Sequence, residues 1–274
     1  MVNNAKVIVL ARAELIFLMN ALEASHLAGM EMEEFSFPAD RLKKVIESGR
    51  RSLTARSLID KDTLIIAPEL ETMVKGIFFR ERAIIMLRGI ARKGRQLFIF
   101  NFYKNILVQH TMPVEGQHRL EVLTSNKDLF AHINYLVPLK PVSKYKRLQN
   151  LLPSTDFMDI QRLTKSDKSK AKEHLKSFGF AEDRASLMAE ALSNPAFTLS
   201  MICLTIKRDK ITNGMAFGVF ASEDSSWGIW PGKNKSEIVI FPVDSDDVCI
   251  MLQKWLDSGK STAGNPHLQK IPDR

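Results

Sequence analysis

The period of hydrophobic and polar positions changes several times along the 274-residue chain, and each change marks an element. Residues 6–10 (KVIVL) are a compact β-branched run, the pattern of a strand. Leu15, Leu18, Met19 and Leu22 then recur at helical spacing and predict a helix from residue 11 to about 25. After a loop carrying Gly29, Glu31, Glu33 and Glu34, Pro38 and Asp40 open a second helix with Leu42, Val45 and Ile46 on one face, punctuated at Gly49. RRSLTARSLID reads as a short helix, TLIIA as a strand, and PELETMVKGIF from Pro68 as a further helix. Helix, short helix, strand and helix in this order resemble part of a winged helix over residues 39–80.

From Ala83 the period becomes that of strands. AIIMLRGIA, RQLFIFNF, NILVQHTM and HRLEVL are four β-runs with a turn signal at Lys93-Gly94, and Ser125 or Asn126 caps a helix over residues 127–136. A basic linker follows at 140–147, then the apolar stretch 148–152 and helices over 156–163, 169–179 and 182–192. The four-run pattern returns as LSMICLTIK, GMAFGVFA, SSWGIW and SEIVIF, closed by a helix at 246–256 with Ser245 as its cap. Leu120 and Asp128 align with Ile238 and Asp247, so the two stretches stand 118 to 119 residues apart. The expected fold is α+β, with two quasi-symmetric halves, each holding helices, a four-stranded antiparallel meander and a closing helix. The expected divisions are an N-terminal half at 1–140, a C-terminal half at 141–258 and a disordered tail at 259–274.

Composition adds limits. With 45% hydrophobic and 26% charged residues, the chain can bury a full core without staples. Its net charge of +8 invites anionic partners, but the excess is spread over many short clusters that read as solvated faces. Cys203 and Cys249 each lie in apolar runs, which suggests buried reduced thiols and a cytoplasmic compartment. The apolar run 7–22 is interrupted by Arg12 and Glu14 and is short for a membrane span, so a buried strand and helix account for it and no membrane insertion is expected.

Candidate chemistry is sparse. Six histidines lack metal-binding spacing and there is no CxxC, so no metal is expected; no phosphate-cradling or nucleophile motif points to a cofactor or an enzyme. His110 and His118 flank one β-loop and read as a structural pair. Ser222–Ser225 is an acidic hairpin tip that reads as a solvated turn. Phe217, Phe220, Trp227 and Trp230 are the candidate partner-binding residues, if their rings face outward. Arg50, Arg51 and Arg56 are the alternative site, on a nucleic-acid-binding recognition helix.

Residues 42–70, LKKVIESGRRSLTARSLIDKDTLIIAPEL, followed by a meander and a helix, resemble the ESX type VII secretion-associated chaperone (EspG-like) family. The matching residues are Gly49, Arg50, Leu53, Ala55, Arg56 and Leu58, in a G-R-x-x-L-x-A-R-x-L-like stretch, and the likeness in architecture runs from Lys6 to Leu256. The resemblance implies a cytosolic, non-enzymatic chaperone without cofactor that caps the apolar tip of helical secreted proteins exported in pairs. It carries over no contact residue. The alternative is a nucleic-acid-binding regulator using the three arginines.

Overall fold

A computed structural model describes residues 6–24, 37–141, 149–208, 210–234 and 236–258. The tail at 259–274, most of the 140–147 linker and the acidic patch at Glu31, Glu33 and Glu34 lie outside these residues. In chain order the elements are β1 (Val7–Ala11), α1 (Arg12–Ala21), α2 (Ala39–Ala55), α3 (Pro68–Phe78), β2 (Arg82–Ile90), β3 (Gly94–Tyr103), β4 (Ile106–Thr111), β5 (Gln117–Leu123) and α4 (Asn126–Leu136). There follow β6 (Asn150–Pro153), α5 (Ser154–Ser166), α6 (Lys168–Ser177), α7 (Glu182–Ser193), β7 (Phe197–Lys207), β8 (Lys210–Ala221), β9 (Ser226–Pro231), β10 (Glu237–Pro242) and α8 (Ser245–Ser258).

The fold is α+β, built on one ten-stranded sheet of order β1-β5-β4-β3-β2-β7-β8-β9-β10-β6. Pairing is antiparallel at β1–β5, β4–β5, β3–β4, β8–β9, β9–β10 and β6–β10. Two compact units divide the chain. One holds Met1–Met86, Gln96–Leu129 and Ile202–Met215; the other holds Leu87–Arg95, Phe130–Met201 and Ala216–Arg274. Each unit therefore draws on both sides of residue 140.

In the first unit, strand alternation puts Ile8, Leu10, Val108 and Leu120 on the face that meets α1 and α3. Leu15, Leu18, Leu53, Leu70, Met73, Val74 and Ile77 complete that core, all at 1% exposure or less. Helix α1 is buried almost all round, yet it carries Glu14, itself only 1% exposed. In the second unit, Leu152, Phe220, Trp227 and Ile240 from the sheet pack against Phe157, Ile160, Leu175, Phe180 and Met188 of the α5–α7 region.

Three local expectations change. Helix α2 runs through Gly49 without a break. A Cβ at residue 49 would lie against the Ala13 carbonyl oxygen well inside van der Waals distance, so the glycine serves close approach of α1 rather than helix termination. TLIIA forms no strand: an isolated bridge joins Ile59 to Ile66, and Ser57 and Leu64 take positive φ, so the helix–strand order of a winged helix is absent from 39–80. Finally, α8 is capped by Asp244, which accepts from the Asp247 N–H at 3.0 Å while its own N–H donates to the Asp247 carboxylate at 3.1 Å. Ser245 instead accepts the Leu139 N–H at 3.0 Å. At α4, Ser125 is the cap, taking the Asp128 N–H at 3.2 Å.

Among the described residues no helix is long and apolar enough to cross a membrane. Cys203 and Cys249 are free thiols, pushed up to about 12 and about 11 by burial.

The Gly49 contact is testable. Gly49→Ala gains helix propensity but forces α1 and α2 apart, so a net loss of about 1–3 kcal/mol is expected in urea denaturation. A variant as stable as the parent would show that the helices do not need this approach.

Candidate partner-binding surface

The meander aromatics fall on two faces of the sheet, because residues three apart on a strand point opposite ways. Register pairs Phe220 with Trp227 across β8 and β9. Phe220 meets Phe157 with centroids 6.4 Å apart, and Trp227 meets Phe180 at 6.2 Å. Arg184 lies over both the Phe180 and Trp227 rings at 5.5 Å, and the Trp227 indole N–H donates to Ser225 Oγ at 3.1 Å. Phe217 and Trp230 stack on each other at 5.7 Å and 14° on the other face.

Phe217, Phe220 and Trp227 are each 5% exposed or less, and Trp230 is half-buried. The four do not form one outward patch. Two of them are core on the helix-covered face, a third is buried beneath its stacking partner, and Trp230 alone among them offers a ring surface to solvent.

The arginines of α2 and its end are held by carboxylates. Arg50 and Arg51 both reach Glu47, at 2.8 and 3.1 Å. Hydrogen bonding from Arg50, then Arg51, lowers the Glu47 carboxyl to about 2. Arg56 turns inward: its Nη1 donates to both oxygens of buried Glu14 at 2.8 Å and its Nη2 to the Val9 carbonyl at 2.8 Å. Ser52 Oγ and the Ala11 N–H complete the carboxylate's partners, each at 2.7 Å. Four members of the GRxxLxAR stretch thus have structural partners: Gly49 for helix approach, Arg50 on Glu47, Leu53 in the core and Arg56 on Glu14. Sequence reading took Glu14 as an interruption of an apolar run and missed its pairing; the signal was a lone acid inside an otherwise buried helix, which requires a cation somewhere in the fold.

His110 and His118 do meet. Their rings join through Nε2 and Nδ1 at 3.0 Å, both 1% exposed. Burial, then the charge of His118 and of Arg80, lowers His110 to about 3; burial, then Arg12, lowers His118 to about 4. Both rings are neutral at pH 7, one donating and the other accepting. Among the described residues no group of three or more His, Cys, Asp or Glu converges as a metal site would require.

The Ser222–Ser225 tip closes on itself, with the Ser222 N–H donating to the Ser225 carbonyl at 2.9 Å and the two hydroxyls 3.2 Å apart. Beside it is a shallow cavity of about 260 Å³ lined by Pro138, Leu139, Phe197 and Glu223, with the Lys140 ammonium donating to the Glu223 carbonyl.

None of the known protein-family models matches the chain, and no curated protein matches it by sequence. Among solved structures, it is similar to the Mycobacterium tuberculosis type VII secretion system chaperone EspG5, solved in complex with a PE25–PPE41 dimer. The TM-score is 0.69 at 11% identity, over 92% of this chain and 96% of that one. The fold is shared over almost the full length of both.

The histidine pair makes a pH prediction. The unfolded chain takes up protons at these positions below the ordinary 6.5, whereas the folded chain does so only near 4 and 3. Stability is therefore full above pH 6.5 and falls on acidification, by about 2 kcal/mol per histidine between pH 6.5 and 5. In urea titrations a His110→Leu/His118→Leu variant should lose this part of the slope; a variant with the parent's pH profile would contradict the assignment.

Proposed function

We propose that the chain is a cytosolic, non-catalytic chaperone or adaptor that caps an apolar surface of a helical secretion substrate, in a type VII-like system. The observation that carries this reading is the fold likeness, over almost the full length, to a chaperone solved in complex with a PE25–PPE41 dimer. Binding by such a protein is ordinary interface chemistry: apolar rings and methyls on the sheet and its hairpins cover a partner's exposed apolar side chains, and cations at the rim tune the encounter. Trp230, half-buried and backed by Phe217, is the meander aromatic positioned to take part.

We further infer that residues 1–140 and 141–258 are two copies of one unit. Support comes from the strand order, which runs β1-β5-β4-β3-β2 and then β7-β8-β9-β10-β6, so each stretch has a meander with its earliest strand outermost. An experimental structure in which residues 82–136 and 197–256 did not superpose strand for strand would remove this inference.

Co-expression with a small helical-hairpin protein encoded beside the gene tests the function. A soluble complex of fixed stoichiometry is expected, weakened at least tenfold by Trp230→Ala with the free chain's stability changed by less than about 1 kcal/mol. Consistent failure with every neighbouring candidate would argue against the chaperone reading; a complex indifferent to Trp230 would move the contact surface elsewhere.

A further inference from the structure

The backbone of β1 has an outer side, and two of its polar groups are already occupied by side chains. Among the described residues strand β1 is the last in the strand order, beside β5 alone. The Arg12 N–H donates to the Gly116 carbonyl, and the register pairs Leu10 with His118 and Ile8 with Leu120. In an antiparallel ladder hydrogen-bonded pairs alternate, so the N–H and C=O of Leu10 and Ile8 point toward β5 and those of Val7, Val9 and Ala11 point away. The Val9 carbonyl is where the Arg56 guanidinium donates at 2.8 Å, and the Ala11 N–H is where the Glu14 carboxylate accepts at 2.7 Å. One ion pair thus supplies an acceptor and a donor at successive outward positions, as a neighbouring strand would.

The opposite edge is blunted by other means. The Ser154 N–H donates to the Ser236 carbonyl, so Leu151 and Pro153 are the outward residues of β6. Proline has no N–H, which leaves this short strand one outward donor, at Leu151. The outward positions of β1 have no proline and no charge: the strand reads VIVLA, with Val7 and Val9 about 40% exposed. Such a strand is a template for pairing unless something covers its polar groups.

We propose that the Glu14–Arg56 pair is an edge lock, and that opening it turns β1 into a docking strand for β1 of a second copy of this chain. The second copy is the occupant because the outward groups of Val7, Val9 and Ala11 are self-complementary in an antiparallel, two-fold arrangement centred on Val9, which closes as a dimer. The guanidinium and carboxylate stand where the incoming strand's N–H and C=O would have to lie. The inference stands independently of the chaperone reading.

The test removes both charges together, since deleting Arg56 alone strands a buried carboxylate. Full-length Glu14→Gln/Arg56→Met is compared with the parent and with the same double variant carrying Val9→Pro, using light scattering across a concentration series and circular dichroism. Val9 gives its N–H to no neighbour in the β1–β5 ladder, so proline there removes only the outward donor. The expected result is a parent of monomer mass, a double variant that is folded and reaches twice that mass as concentration rises, and return to monomer with Val9→Pro. A folded double variant that stays monomeric overturns the proposal. So does dimerisation that survives Val9→Pro, and so does loss of fold in the double variant, which would assign the pair to folding rather than to the edge.

Discussion

A carboxylate with 1% exposure in an apolar helix is costly unless its oxygens are filled, and the N-terminal third of this protein is arranged to fill them. Glu14 takes two bonds from Arg56, one from Ser52 and one from the Ala11 backbone. Arg56 and Ser52 come from α2 and its end, Ala11 from the junction of β1 and α1. Their meeting ties the end of α2 to the β1–α1 junction, while the separation of the two helices is set by Gly49, where no side chain stands between α2 and the Ala13 carbonyl. From there α1 and α3 cover one face of the strands beside β1, and the rest of the first core follows.

The second core rests on apolar contact with a polar edge. Trp227 and Phe220 sit under α5–α7, and Arg184 spreads its guanidinium over Trp227 and Phe180. Tryptophan here is spent on cohesion. Several exposed cations are paired within or beside their own helices: Lys75 with Glu71, Lys170 with Asp167, Lys176 with Glu173 and Glu182. Such pairs are screened and individually weak, so the net charge of +8 is a property of the surface more than a site.

Periodicity made most of this fold legible. The runs from Ala83 and from Leu199 are β2–β5 and β7–β10, and the closing helices are α4 and α8. What stayed illegible was long-range: that one sheet takes in all ten strands, that Glu14 answers Arg56 across 42 residues, and that Gly49 is a contact rather than a stop. TLIIA is apolar enough for a strand but finds only a single bridge, because Leu64 turns to positive φ. The four aromatics do not share one face, for a reason already present in the sequence. Phe217 and Phe220, like Trp227 and Trp230, stand three apart, and a strand sends such residues to opposite faces. His110 and His118 were legible as neighbours through their loop, while their mutual hydrogen bond and exclusion from water came only with the packing of β1 and β5.

Under the proposed function the chain's partner is another protein, and the nature of that partner is the centre of the account. Intact-mass spectrometry of the protein isolated from its own cells under native conditions reads it most directly. The account predicts a stoichiometric assembly with one small helical protein or a pair of them. The chain recovered alone at every growth stage, or bound to nucleic acid in a salt-sensitive complex, would contradict it.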